Sequence, residues 1–507
     1  MFKQKAQLKN NVPNSLPAPT QGLDAVSPLM GMKETRAILL ENWFPMPDGL
    51  EMRDGFVSHV TGFAATVERL HVYSAPNGGE SLWATTASGI YAATTLGAVG
   101  ATVMALTEGK TISTVISTGA GNYMMVANGV DTIKQYDGTT WSSIATFGAT
   151  ATTAYSFVET YRQRLFLVKK NSLEIEYLAV NSISGAATNY PLGAILNRGG
   201  YIVAIGTWTI DGGSGPEDQL VAITNKGQIA VFAGSDPSTA ATWALRGVYN
   251  VGVPMGENCL FKYGGDLLII TEAGIYPMSS AVQSASIDRT QGVSASIKPI
   301  FSAAAASFSS NEGWQIISDP NKPFLLVNVP STPRRKQFVM HSQTGAWTTF
   351  VGWDAYCFAR MGDELYFGTA TEVCRINGTS DKGANIVATM MQAHSRFRHQ
   401  QTKKVELTKA YISSNGGFYY TMGYGLDFSD PREKNMFQAK NNVSAAIWGV
   451  SIFGEAIWTG ITGISQDWQT IPDDYSLWKS LYLQCVSNNA KIRYYGSDML
   501  LLPGSNL

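Results

Sequence analysis

The 507 residues suffice for two or three domains, or for one large repeat domain with a smaller companion. Charged residues make up only 15% and the formal net charge is −1, which excludes a basic field that would clamp nucleic acid regardless of sequence. The 50 glycines, set among many Thr, Ser and Ala, suit short strands joined by tight turns and exclude long, charge-laced helices.

In chain order, residues 1–36 form a polar, Pro/Asn-rich stretch. Asn10-Asn-Val-Pro-Asn-Ser-Leu-Pro-Ala-Pro19 cannot hold a helix, because proline removes a donor and restricts its predecessor, so an extended N-terminal arm with few core residues is expected. The arm lacks the apolar core of a signal peptide, and no later run reaches the length of a membrane span. Ala37 to Phe56 reads as strand, Pro/Asp/Gly turn, strand.

From about residue 60 to 380 one unit recurs: a short apolar strand, a turn with Gly, Asn or Ser, and a second strand. Copies begin at Leu82, Tyr123, Leu165, Leu220, Leu267, Leu325 and Leu365. Intervals of about 40–50 residues, some enlarged by insertions, are those of propeller blades. The expected fold is all-β: a six- or seven-bladed β-propeller over residues 37–384, then an antiparallel β-sandwich-like domain over 385–507. In Tyr136-Asp-Gly-Thr-Thr-Trp141 and Met340-His-Ser-Gln-Thr-Gly-Ala-Trp347, a Gly/Thr turn precedes a tryptophan expected to pack between blades.

Motifs that carry chemistry are sparse. Glu108-Gly-Lys-Thr111 resembles the end of a phosphate-binding loop, but Met104 stands where the loop needs glycine. Among His59, His71, His341, His394 and His399 only the last two are close, and a five-residue step suits neither a helix face nor a strand face. The adjacent carboxylates Asp363-Glu364 and Asp473-Asp474 could be paired acids of a glycosidase, but both sit beside turns where carboxylates cap loops. Asp211-Gly-Gly-Ser-Gly-Pro-Glu-Asp218 gathers oxygen ligands without a known calcium spacing. Asn377 and Asn442 match glycosylation patterns by chance. Cys259, Cys357, Cys374 and Cys485 form no CxxC pair and read as buried residues of a reducing compartment. No catalytic, cofactor or metal residues are assigned, and an enzyme is not expected. The basic stretches Arg334-Arg335-Lys336 and Arg396, Arg398, Lys403, Lys404 stand out in a chain this poor in charge. They are the candidate contacts to an acidic partner or to DNA phosphates, weighed against a plain solvated hairpin edge.

Three segments carry a resemblance. Leu40-Glu-Asn-Trp-Phe-Pro with Met52-Arg-Asp-Gly-Phe56, Val251-Gly-Val-Pro with Gly264 to Tyr276, and Lys403-Lys-Val-Glu leading to Gly425-Leu-Asp-Phe428 resemble tail hub and nozzle proteins of short-tailed bacteriophages, the packaged-DNA stabilisation type. The resemblance implies a structural virion protein assembled in the host cytoplasm, a ring of six below the portal–adaptor complex, with tail fibre or needle proteins as neighbours and genomic DNA passing through the lumen. It implies no catalytic residues and no membrane. The alternatives are a receptor- or glycan-binding propeller of the tail and, behind it, a propeller glycosidase.

Overall fold

In the computed structural model, the residues described are 12–211, 216–284, 292–319, 321–397, 401–430, 436–441, 463–465 and 467–504. They fall into two compact units: Ser58–Lys336 with Trp353–Ile376, and Met1–Val57 with Gln337–Gly352 and Asn377–Leu507. Neither is continuous in sequence, so the expected boundaries at 36/37 and 384/385 do not coincide with this division.

In the first unit short apolar strands fold back on themselves as sheets. Blade 1 is Arg69–Ser74, Glu80–Thr86, Gly89–Ala92 and Met104–Ala105; blade 2 is Ile112–Thr118, Gly121–Ala127, Ile133–Tyr136 and Trp141–Ile144. Blade 3 is Tyr155–Tyr161, Arg164–Lys169, Glu174–Tyr177 and Thr188–Pro191; blade 4 is Ile202–Asp211, Pro216–Thr224, Gln228–Gly234 and Trp243–Asn250. Blade 5 has Leu260–Tyr263, Asp266–Thr271 and Gly274–Pro277, and blade 6 starts with Gln315–Ser318 and Phe324–Val329. Blade 7 joins Cys357–Met361, Glu364–Gly368 and Glu372–Ile376 to Phe56–Thr61, a strand from far upstream. The first strands adjoin one another in this order, and that of blade 7 adjoins that of blade 1. This closed ring of seven sheets is a β-propeller.

A repeated turn explains why the strands reverse where they do. Between the second and third strands a hydroxyl or amide side chain ties the bend. Thr86 Oγ1 accepts from Ser88 N at 3.1 Å, Thr224 Oγ1 from Gln228 N at 3.1 Å, and Thr369 Oγ1 from Glu372 N at 3.1 Å. In blade 2 Asn128 Oδ1 does the same for Asp131 N at 2.8 Å. These are the local bonds that make Thr and Asn turn residues. Gly227 completes one such turn at φ +74°, where an added Cβ would lie 2.4 Å from Gly252 O. Strand faces then bury apolar side chains between neighbouring blades: Leu70, Leu82 and Ala84 of blade 1 with Cys357, Tyr366 and Val373 of blade 7, and Val60 and Phe63 of the closing segment.

The second unit has two sheets. One contains Trp43–Met46, Gly49–Met52, Ile492–Pro503, Lys403–Ser414 and Gly463–Ser465 in that order. The other runs from the hairpin Lys336–His341/Trp347–Val351 through Ala37–Glu41, Ile386–Gln392, Lys479–Ser487 and Phe418–Leu426 to Phe437–Asn441. Buried Arg53 welds three segments of this unit: it is paired with Asp381 at 2.7 Å and donates to Val351 O and to Asn42 Oδ1 at 2.9 Å.

The expectation of an arm with few core residues is corrected for the described part. Val12–Pro17 is a strand paired antiparallel with Ile492–Pro503, Val12 opposite Leu501 and Pro17 opposite Gly496. Leu16, Ala18 and Leu23 are buried. The prolines are compatible because Pro13 and Pro17 share one parity. The opposite parity faces the partner, as Ala18 N donating to Tyr495 O shows, so the missing donors fall on the free edge. Trp347 is wholly buried, but it belongs to the second unit; Trp141 is half-buried between blades 1 and 2, packed edge-on to Trp83.

Candidate functional site

The two basic stretches do not form two charged surfaces. In the propeller unit, Arg334 is exposed, whereas the Arg335 guanidinium lies 3.6 Å from the Tyr356 ring centre and donates to Glu312 O at 3.1 Å. Lys336 begins a strand and is half-buried. In the second unit Lys404 is half-buried on its strand, and Arg398 lies outside the described residues. Lys403 corrects the expectation of a surface contact: it is 2% exposed, and its Nζ donates to Arg396 O beside the Phe397 ring. Burial lowers its pKa to about 8, and the nearby charges of Lys479 and Arg396 act in the same direction.

Close in sequence to this lysine's strand partner, Asp473 of the adjacent pair Asp473-Asp474 is engaged in an ion pair with Lys479. Asp473 accepts from Lys479 Nζ at 2.9 and 2.7 Å and from Val405 N at 2.6 Å, and Lys479 also donates to Asp474 O at 2.8 Å. Burial raises the pKa of Asp473 and lowers that of Lys479, with these bonds opposing both shifts. Asp473 is therefore committed to structure. Glu364 is likewise held, by Arg375 at 2.9 Å and by the Tyr366 hydroxyl at 3.1 Å. Neither adjacent pair is two free carboxylates flanking a cleft.

A cleft of about 460 Å³ opens next to this pair, lined by Pro17, Met32 to Thr35, His394 to Arg396, and Trp478. Its walls come from distant parts of the chain, pinned locally. Gln392 Nε2 donates to Pro17 O at 2.6 Å and to Glu34 O at 2.5 Å, Ala393 N to Arg36 O at 3.0 Å, and Ser395 Oγ to Glu34 Oε1. Ser395 also exchanges two backbone bonds with Lys479. Arg396 lies over the Trp478 ring at 4.4 Å, and Phe428 packs on both Trp478 and His394, at 5.4 and 4.8 Å. His394 is 2% exposed, yet neither ring nitrogen has a hydrogen-bond partner. Burial pushes its pKa down, with Asp427 opposing, which favours the neutral ring. Phe397, Asp427 and Phe428 around it all have φ between 45° and 70°. Bulky residues seldom take that conformation, and strain of this kind gathers at functional positions. Sequence reasoning listed His394 and Arg396 separately and missed Glu34 and Trp478, because only the fold brings them together.

The propeller unit carries a second charged cluster. Glu68, Glu108, Glu257 and Glu312 stand just before the first strands of blades 1, 2, 5 and 6, with Arg69 and Lys110 among them. Arg69 pairs with Glu312 at 3.3 Å. Burial raises the pKa of Glu257 to about 7, with Arg69 opposing. Further along, Glu159 is raised to about 8 by burial against the opposing pull of Lys262, two blades away. Its exposed area is intermediate, on the first strand of blade 3. The other sites noted in the sequence are structural. His71 is buried between Thr111 and Ser113 with its pKa pushed down to about 3, and all four cysteines are buried. Residues 212–215, His399 and Asn442 lie outside the described residues. Among the described residues no cluster of His, Cys, Asp or Glu is spaced to hold a metal ion, and no helix is long and apolar enough to cross a membrane.

No family model and no curated protein matches the sequence. Similar solved structures are the N-terminal region of BBS1 in complex with ARL6, at 12% identity and TM-score 0.40 over 65% of this chain and 99% of that one; the WD40 propeller domain of Doa1, at 7% and 0.39 over 64% and 95%; and the Cps50 (Swd1) propeller domain of Myceliophthora thermophila, at 12% and 0.39 over 64% and 100%. The fold stands on the ring of strands described above, without support from these likenesses.

Proposed function

We propose that this chain is a structural virion protein, the tail nozzle or hub of a short-tailed bacteriophage, docking as a ring below the portal–adaptor complex. The supporting observation is where the resembling segments lie. Leu40 to Pro45 and Met52 to Phe56, near the start of the chain, and Lys403 to Phe428, far downstream, fall within one unit and contribute strands to both of its sheets. Residues 264–276 make up most of blade 5. Segments scattered by chance have no reason to converge in this way.

On this reading the DNA passage is formed among subunits, and not by the centre of one propeller, which carries Glu159 and the carboxylates before the first strands. The carboxylates there, with the near-neutral net charge, leave the protein poorly suited to gripping phosphates. Arg334 and Lys404 remain the candidate contacts to partner or DNA from the basic stretches. Electron microscopy of the protein alone and mixed with its phage's portal–adaptor complex tests the proposal. Six-fold density at the distal end of that complex is expected; a protein that never docks refutes it.

A further inference from the structure

The cleft at His394 has a donor and acceptor pattern that says what it can hold. Two cations, Lys33 and Arg396, face a single carboxylate, Glu34. Lys33 is exposed, and the Arg396 Nε is buried without a partner. The surplus positive charge calls for an anionic group on the ligand, which a guanidinium binds well. An anion alone leaves other groups unmet. A neutral imidazole has one N–H and one lone pair, and both nitrogens of His394 are buried and unpartnered. Glu34 accepts from Ser395 Oγ at Oε1, which leaves Oε2 to accept from a ligand. The His394 lone pair and Glu34 Oε2 both need hydroxyl donors; acetate has none, and inorganic phosphate near neutral pH has only one or two, against the several of a sugar ring. An unpaired buried polar group is costly, so a ligand that satisfies it is favoured. The Trp478 ring is already packed by Arg396 and Phe428, so the recognition argued here is polar. A volume of about 460 Å³ accommodates one sugar ring.

We propose that this cleft binds a hydroxylated carboxylate, a single acidic sugar residue of the uronic-acid kind, with its carboxylate at Arg396 and Lys33 and its hydroxyls at His394 and Glu34. The inference stands independently of the nozzle reading, since it rests on one unit of one chain.

Calorimetric titration of the full chain with D-glucuronate, D-glucose, acetate and inorganic phosphate tests it. Glucuronate is expected to bind, with glucose, acetate and phosphate each weaker by about tenfold or more. Arg396→Gln and His394→Phe are each expected to weaken glucuronate by about tenfold. Lys33→Ala, at an exposed position that folding does not need, is expected to weaken it by about threefold and to leave glucose unchanged. Absence of glucuronate binding overturns the proposal. Glucose binding as tightly as glucuronate removes the anion subsite, and acetate or phosphate binding as tightly removes the hydroxyl subsites. If Arg396 and His394 variants fail to fold, an unchanged glucuronate affinity in Lys33→Ala is enough to overturn it.

Discussion

At the scale of residues, a few charges of this protein are held inside, among them Arg53, Lys403 and Lys479. Lys403 shows the consequence. It is a lysine held without a carboxylate partner of its own, beside two other cations, and its pKa is lowered to about 8. In the unfolded chain it binds its proton up to about pH 10.5, so between pH 8 and 10.5 the unfolded state carries more protons than the native one. Stability contributed by this site therefore rises as pH is raised through that window, and below pH 8 the site is a net cost. Lys403→Met should raise the melting temperature at pH 7 and flatten the rise between pH 8 and 10.5. A variant less stable than the parent at pH 7, measured by calorimetry, contradicts the assignment. The basic residues were legible in the sequence as a cluster. The burial of Lys403 was not, because it depends on segments brought together by the fold, Arg396 and Phe397 on one side and Ser476 on another.

At the scale of elements, strand signals were read well and edges were not. Alternating and continuous apolar runs located the strands of the blades, since a strand buried on both faces needs such a run. The N-terminal arm was expected to be extended and to carry few core residues because of its prolines. It is a paired strand because those prolines share a parity and spare the donors that face the partner. Leu16→Ala should accordingly cost about 2–4 kcal/mol in urea unfolding. A cost near zero means that the arm strand is only lightly attached. Trp347, buried without exposed surface, should cost about 3–5 kcal/mol on change to alanine, and half-buried Trp141 distinctly less. Equal losses for the two refute that ranking.

At the scale of the whole molecule, the propeller depends on a strand that precedes it. Phe56–Thr61 completes blade 7, and its Val60 is buried among side chains of blades 1 and 7. Val60→Asp places a carboxylate there and should cost about 3 kcal/mol or more. Hydrogen exchange should quicken together in Arg69–Ser74 and Cys357–Met361, the first strands on either side of the junction. Faster exchange confined to Phe56–Thr61 means that the ring closes without it.

The sequence by itself determined the strands, the turns that separate them and the blade-length repeat, because these depend on residues near one another: an apolar run, then Thr, Asn or Gly where the chain must bend. The blade count, the closing strand, the place of the arm and the cleft at His394 were decided only by tertiary structure. Each depends on pairing residues hundreds of positions apart, such as Pro17 with Gly496 or Glu34 with Ser395. Local pattern holds no record of such partners, since a strand's edge and a buried side chain accept whichever complement the fold brings to them.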